Sequence, residues 1–517
     1  RGDHDEGLKK IMLLLINMSC KRNSINFYGC LAGMAQGRRR QGGNFIRTVL
    51  SVLFLAAMIF TAETPVLAGL PLPDPNRLSY PPLRFSPPVP QHFTIENGLE
   101  VYFLANRELP VVKATLLVKS GAMYDDRGKE GTAELTANLM RTGGTKQIPP
   151  RILDDTLASL AATIEPSAGM EQIQWSFFSL RKDFSRAWDI FHQILRAPRF
   201  DPERLALLKE LKSEEIRRLN DDPQQWAFKE FFRHLYQGNP RGRLPTVSTL
   251  NGISRYEIEK CHRLHYTPDN MFLAISGDID REEVERIVRE TFGSWTAKSG
   301  RIAVPPPLAA FQTGKYYLIK DTPQTVTVIG RPAPTKKSPD FFAFDVVDHI
   351  LGSGGFRSRI FQQVRTDRGL AYATGSFYRA REDYGIFGAY ALTKTSAAGE
   401  ALTVMQDLVR TVRLRGITAE ETARAKSSIL NSFIFSFATP HQLVHQQASL
   451  AFEGLPENFL WQYRKRIDCL TSKEINHVAS KWLDFDQALI FMLGKKAGYE
   501  EIKKIHPDFK NIKVSYD

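Results

Sequence analysis

The same series of elements is written into this chain twice, and that repetition limits its fold more than any other feature. In the first pass, 94–105 (TIENGLEVYFLA) alternates around Asn97-Gly98, the pattern of a tight hairpin. Residues 111–120 (VVKATLLVKS) read as a buried strand. A helix is predicted over 129–140, stopped by Gly143-Gly144, and a longer one over 202–219, ending before Asp221-Asp222-Pro223. The strand 271–278 (MFLAISGD) then leads into the charged helix REEVERIVRETFGSW. After 298–314, where Pro305 to Pro307 break both periodicities, the order returns. Strands fall at 315–320 and 325–331, a helix at 341–351, the strands YATGSFY and GIFGAYAL next, helices at 397–414 and 419–436, and a last strand (ALIFMLG) at 488–494. A period this long marks a duplicated α/β unit, 91–297 and 315–517, joined by the linker 298–314.

The stretch ahead of the first unit has a different character. Arg38-Arg39-Arg40 and Arg47 flank a short apolar run from Thr48 to Ala62, and Val66-Leu67-Ala68 precedes Gly69. That layout is a signal peptide, its core too short for a comfortable membrane span; an uncleaved anchor is the alternative. Residues 1–68 are therefore expected to be an N-terminal extension and export signal, with Met34 as a candidate start. The chain is expected to be exported, to the periplasm of a Gram-negative bacterium. Residues 69–90 form a Pro-rich lead-in without a core of its own. The net charge of +13 loses its weight once this is seen. Nine Arg or Lys against four Asp or Glu in residues 1–68 supply five of those charges. The rest is spread without basic tracts carrying interleaved aromatics, which argues against nucleic acid. Of four cysteines, only Cys261 and Cys469 lie beyond residue 68, so no disulfide framework is expected.

The segment from Ser120 to Thr145, SGAMYDDRGKEGTAELTANLMRTGGT, carries the most chemistry. It resembles the first helix of pitrilysin/insulinase (M16) peptidases, which carries His-x-x-Glu-His. The resemblance extends over most of 90–515 and includes YTPDNMFLAISGD at 266–278 and LGSGGFRSRIFQQVRTDRGLAYATGSFY at 351–378. It implies two homologous domains of an α/β (α+β) class, each an antiparallel-rich sheet with helices packed on one side. The family's motif positions fall on Glu134, Ala137 and Asn138. Two imidazoles at i and i+4 share a helix face and hold zinc, and the Glu between them activates the bound water. Here both imidazoles are gone and the base is a methyl group. Glu134 and a downstream carboxylate, Glu215 by the match of the third ligand (Glu214 beside it), remain as a hard-oxygen set poorly suited to zinc. No hydrolytic zinc site, and no cofactor, is expected in this chain.

A second segment is intact. Arg365 and Tyr372 match the family's second-half Arg/Tyr element, which reaches substrate held at zinc; Arg368 is a lesser candidate. A guanidinium grips peptide carbonyls and a phenol stabilises a developing oxyanion. Gly352, Gly354 and Gly355 match a glycine-rich stretch that lines the substrate side in processing-peptidase relatives, and otherwise serve as a helix stop. In two-chain bacterial members one subunit carries zinc and the other Arg/Tyr. The resemblance thus implies a non-catalytic subunit of a heterodimeric metallopeptidase. Its zinc would sit in the partner, its substrate would be a peptide able to add to a sheet edge, and it would touch no membrane beyond the signal or anchor. Two alternatives stand beside it. One is a peptide-binding or structural scaffold with no protease role. The other is a peptidase with an unrecognised metal site, for which His441 and His445 offer i, i+4 spacing. Cys261, His262 and His265 look like a metal fragment but lack a second ligand pair.

Overall fold

The computed structural model describes residues 87–295 and 311–516, all within one unit that runs from Leu83 to Asp517. The expected export signal, most of the expected lead-in and most of the expected linker lie outside the described residues.

Two six-stranded sheets form the frame. The first contains β1 (Gln91–Thr94), β2 (Glu100–Ala105), β3 (Val111–Val118), β4 (Thr163–Ala168), β5 (Ile173–Leu180) and β6 (Met271–Gly277), in the order β1-β2-β6-β3-β5-β4. The second contains β7 (Gly314–Ile319), β8 (Thr325–Pro332), β9 (Ala371–Ala380), β10 (Gly385–Thr393), β11 (Leu489–Gly494) and β12 (Lys510–Ile512), in the order β12-β7-β11-β8-β10-β9. Strands 2-6-3-5-4 of one sheet match 7-11-8-10-9 of the other. Each matched set has one parallel pair, β2 with β6 and β7 with β11, and is otherwise antiparallel. The duplication expected from the sequence is therefore a duplication of topology, and the class is the expected mixed α/β.

Helices cover both faces of each sheet, and the second layer is borrowed. Alternate strand residues point to opposite faces. Leu116, Val118, Leu273 and Ile275 pack into the first half's own helical core, with Trp175, Trp188 and Phe191. Tyr102, Leu117 and Ala274 on the other face meet Val444, Ala448 and Phe452 of the Pro440–Phe452 helix, which belongs to the second half. The exchange is mutual. Val326, Val328, Phe491 and Leu493 of the second sheet meet Trp226, Ala227, Phe231 and Leu235 of the Pro223–Leu235 helix from the first half. One-sided packing thus holds only for each half taken alone.

Element boundaries show what local pattern missed. The helix expected over 129–140 is Thr132–Thr142. Asp125 sets its start from outside, accepting the backbone N–H groups of Gly131 (2.8 Å) and Ala133 (2.9 Å). Burial still pushes that carboxyl up to about 7. The helix expected over 341–351 is α-helical only over Phe341–Asp348 and continues as a wider π turn, His349–Ser353, closed by Gly354 N–H on His349 O at 2.9 Å. The β4–β5 hairpin and both borrowed helices were not placed from the sequence.

Candidate functional site

Each half holds one of the two motif regions: the first on the Thr132–Thr142 helix that follows β3, the second on the turn and strand that follow the equivalent helix Phe341–Asp348. In the first half, Ala137 is buried among the core residues of Thr132–Thr142, while Glu134 and Asn138 are half-buried. The Pro202–Arg218 helix runs alongside, capped by Asp201. It brings Glu215 within reach of the same lysine as Glu134. A third group joins them. Lys212 Nζ donates to Glu134 Oε1 at 2.7 Å and lies 3.0 Å from both oxygens of Glu215. Burial alone would lower this amine, yet the charge and hydrogen bond of Glu134, followed by those of Glu215, leave it raised above its ordinary value. Lys229 stands in the same field and is lowered, by burial first and then by Lys212. Glu214 turns elsewhere, to Arg218 at 2.9 Å.

These residues do not fit a zinc ion. The donor set is two carboxylates and an amide where zinc wants imidazole or thiolate, and an ammonium already bridges the carboxylates. Among the described residues no group of three or more His, Cys, Asp or Glu is placed to hold a metal.

The second half presents a different picture. Arg365 lies in a π turn, Phe361–Thr366, and Tyr372 sits near the start of the sheet-edge strand β9. The Arg365 guanidinium lies 5.0 Å from the Phe361 ring centre and 5.8 Å from that of Tyr372. Phe356 packs edge-on against Phe361 at 4.9 Å. Tyr372 is 73% exposed and Phe356 74%. No ion pair or side-chain hydrogen bond engages Arg365 or Tyr372 among the described residues. The segment beneath is held firmly. Arg359 grips Glu421 with two bonds of 2.8 and 2.7 Å, and that hydrogen bonding is the leading reason the Glu421 carboxyl is held down at about 2. Arg368 reaches Glu400 at 3.4 Å. Phe356 and Phe361 escaped the sequence reading, although both lie inside the matched 351–378 stretch.

The glycines serve distinct ends. Gly352 lets the π turn press on β9, where an added Cβ would stand 2.3 Å from Ser376 N. Below it, Ser376 Oγ donates to the buried Asp348, whose carboxyl burial pushes up to about 7. Gly354 approaches His349 O too closely for a side chain, and Gly355 takes φ +68° facing open space.

His441, His262 and His265 are held by neighbours within the chain. His441 bridges two hydroxyls on the first sheet, Thr115 Oγ1 at 3.0 Å and Ser276 Oγ at 2.9 Å, so both ring nitrogens are engaged. His445 lies half-buried on the same helix, with no third ligand among the described residues. The metal reading of that pair fails on this geometry. His262 meets Leu195 O at 2.7 Å, His265 meets Lys119 O at 2.8 Å, and Cys261 is a buried free thiol, as Cys469 is an exposed one.

Comparison with known proteins follows the same division. The description "Insulinase (Peptidase family M16)" matches residues 101–246, and "Peptidase M16 inactive domain" matches 252–429. A protein of Mycobacterium leprae called an uncharacterized zinc protease is 28% identical over 411 residues, covering 76% of this chain and 88% of its own. One of the same description from Rickettsia bellii is 24% identical, covering 71% of this chain and 86% of its own. Among solved structures, a peptidase M16 inactive domain from Pseudomonas fluorescens superposes with a TM-score of 0.73 at 22% identity, covering 79% of this chain and 98% of that one. A protease from Helicobacter pylori gives 0.69 at 19% identity, covering 78% and 99%.

Proposed function

We infer that this chain, which belongs to the insulinase (M16) peptidase family and lacks its zinc motif, is the non-catalytic subunit of an exported two-chain metallopeptidase. The observation that carries this reading is the contrast between the two motif regions. The first is sealed by its own ion pairs, while the second leaves a guanidinium and a phenol at the surface on a firmly held segment. An exposed Arg–aromatic cluster without an internal partner suits contact with something outside the chain. In this role the partner is an M16 chain bearing zinc, and the substrate is a peptide lying between the two. Arg365 holds a peptide carbonyl, Tyr372 donates toward the oxygen that gains charge as the carbonyl is attacked, and the two halves supply the chamber wall facing the metal.

The test is reconstitution. This chain is mixed with a zinc-bearing M16 chain from the same genome and peptide cleavage is followed. The mixture should cleave peptides faster than the zinc chain alone. Arg365→Ala should lower kcat/KM of the mixture by about tenfold or more, and Tyr372→Phe by several-fold, mostly in kcat. A mixture that is no faster than the zinc chain, or unaffected by both substitutions, returns the chain to the scaffold reading.

A further inference from the structure

We infer that Lys212 is a built-in counter-cation that ties the Thr132–Thr142 and Pro202–Arg218 helices together and keeps this region closed to metal even when the lost ligands are restored. An ammonium has three N–H groups, and Lys212 Nζ has three carboxylate oxygens in reach, one of Glu134 at 2.7 Å and two of Glu215 at 3.0 Å. Its hydrogen-bonding capacity is therefore saturated. The lysine side chain is only 16% exposed, which fixes the amine between the helices rather than in solvent. Its two partners occupy the family's first and third ligand positions. The amine thus stands between the carboxylates that a metal would have to share.

Glu134 and Glu215 face Lys212, and Lys229 stands within the field of all three, with Asp222 as a further acid. A divalent ion placed here would bring two more positive charges up to two ammonium groups, an unfavourable step in a half-buried place. The second half shows that the fold does not require such filling. Its equivalent helix pair leaves a cavity of about 310 Å³, lined by His349, Gly354 and Arg357 on one side and Glu421, Arg424 and Ser428 on the other. Among the described residues no lysine stands between that pair; its ion pair, Arg359 with Glu421, leaves the cavity open. The clasp is a property of the first half, where the ligands were lost.

This inference is independent of any partner chain, and its test uses the isolated full-length protein. Glu134→His, Ala137→Glu and Asn138→His are combined once with Lys212 retained and once with Lys212→Met. Bound zinc is counted after equilibration with zinc and dialysis, and melting is followed with and without zinc. The expected result is no stoichiometric zinc with Lys212 present, and about one zinc per chain, with a zinc-dependent rise in Tm, once it is gone. Equal zinc binding by both combinations overturns the inference, and so does a folded Lys212→Met combination that stays zinc-free. Lys212→Met alone guards against misfolding of the combined variants. It should lower Tm, and an unchanged Tm would remove the clasp.

Discussion

The two halves carry the same pair of helices behind the same sheet order and use them in opposite ways. Counted back from Gly143-Gly144 and Gly354-Gly355, Glu134, Ala137 and Asn138 correspond to Asp345, Asp348 and His349. In the first half the surviving carboxylates point to a lysine between helices. In the second, Asp345 and Asp348 point inward, to Tyr463 and Ser376, and burial raises both carboxyls. The groups left open at the surface come from the next segment, Phe356, Phe361, Arg365 and Tyr372. The lesson is that motif position alone does not mark a working site. Polar groups satisfied within the chain hold it together, and those left without a partner are the ones able to meet another molecule.

If satisfied charges are structural, the seam between the halves should yield the largest stability effect. Arg241 has a side chain only 2% exposed, pairs with Asp383 of the β9–β10 turn at 2.6 Å and lies 3.7 Å from Glu171 of the β4–β5 turn. Arg241→Ala should cost about 2–3 kcal/mol in denaturant unfolding, because the half-buried Asp383 loses its counter-charge while Glu171 is left with Arg381 at 3.1 Å. A loss under about 1 kcal/mol would mean that apolar packing alone joins the halves.

Acid should open the same seam more gently. Burial, helped by His445 and Lys113, holds the His441 ring at about 4, below the ordinary value of 6.5. A base whose folded value is depressed contributes stability that is complete above its unfolded value and is lost as pH falls from there toward the folded value. Stability should therefore decline between about pH 6.5 and 4, by an amount on the order of 2–3 kcal/mol from this residue. In His441→Gln that segment of the pH profile should flatten, and an unchanged slope would assign the acid loss to other groups.

The smallest effect belongs to the open cluster. Arg365→Ala and Tyr372→Phe should leave unfolding free energy within about 0.5 kcal/mol of the parent, since neither side chain completes an internal bond. A loss above about 1 kcal/mol would place the cluster with the structural groups and weaken its proposed outward role.

Much of this division was legible in the sequence. The absence of imidazoles at 134 and 138, the helix around them and the spacing of Arg365 to Tyr372 are all local facts. The repeat of strands and helices foretold the matched sheets. What the sequence could not show depends on distant pairing. Lys212 in KSEEIRR reads as one more charge on a solvated helix, and only the neighbouring helix makes it a bridge. His441 and His445 have ligand spacing, yet the first sheet claims His441 through two hydroxyls some hundreds of residues away in the chain. The borrowed helices escaped notice for the same reason, since an amphipathic pattern does not say which sheet it will cover. The β4–β5 hairpin was a simpler miss, because IQWSFFSL at 173–180 alternates as a half-buried strand should.

A first half with no working hydrolytic centre should leave the isolated chain unable to cut peptides. The measurement is peptide hydrolysis by the homogeneous chain without any partner, supplied with zinc and assayed with and without a chelator. No cleavage is expected in either condition. Chelator-sensitive cleavage by the chain alone would contradict it.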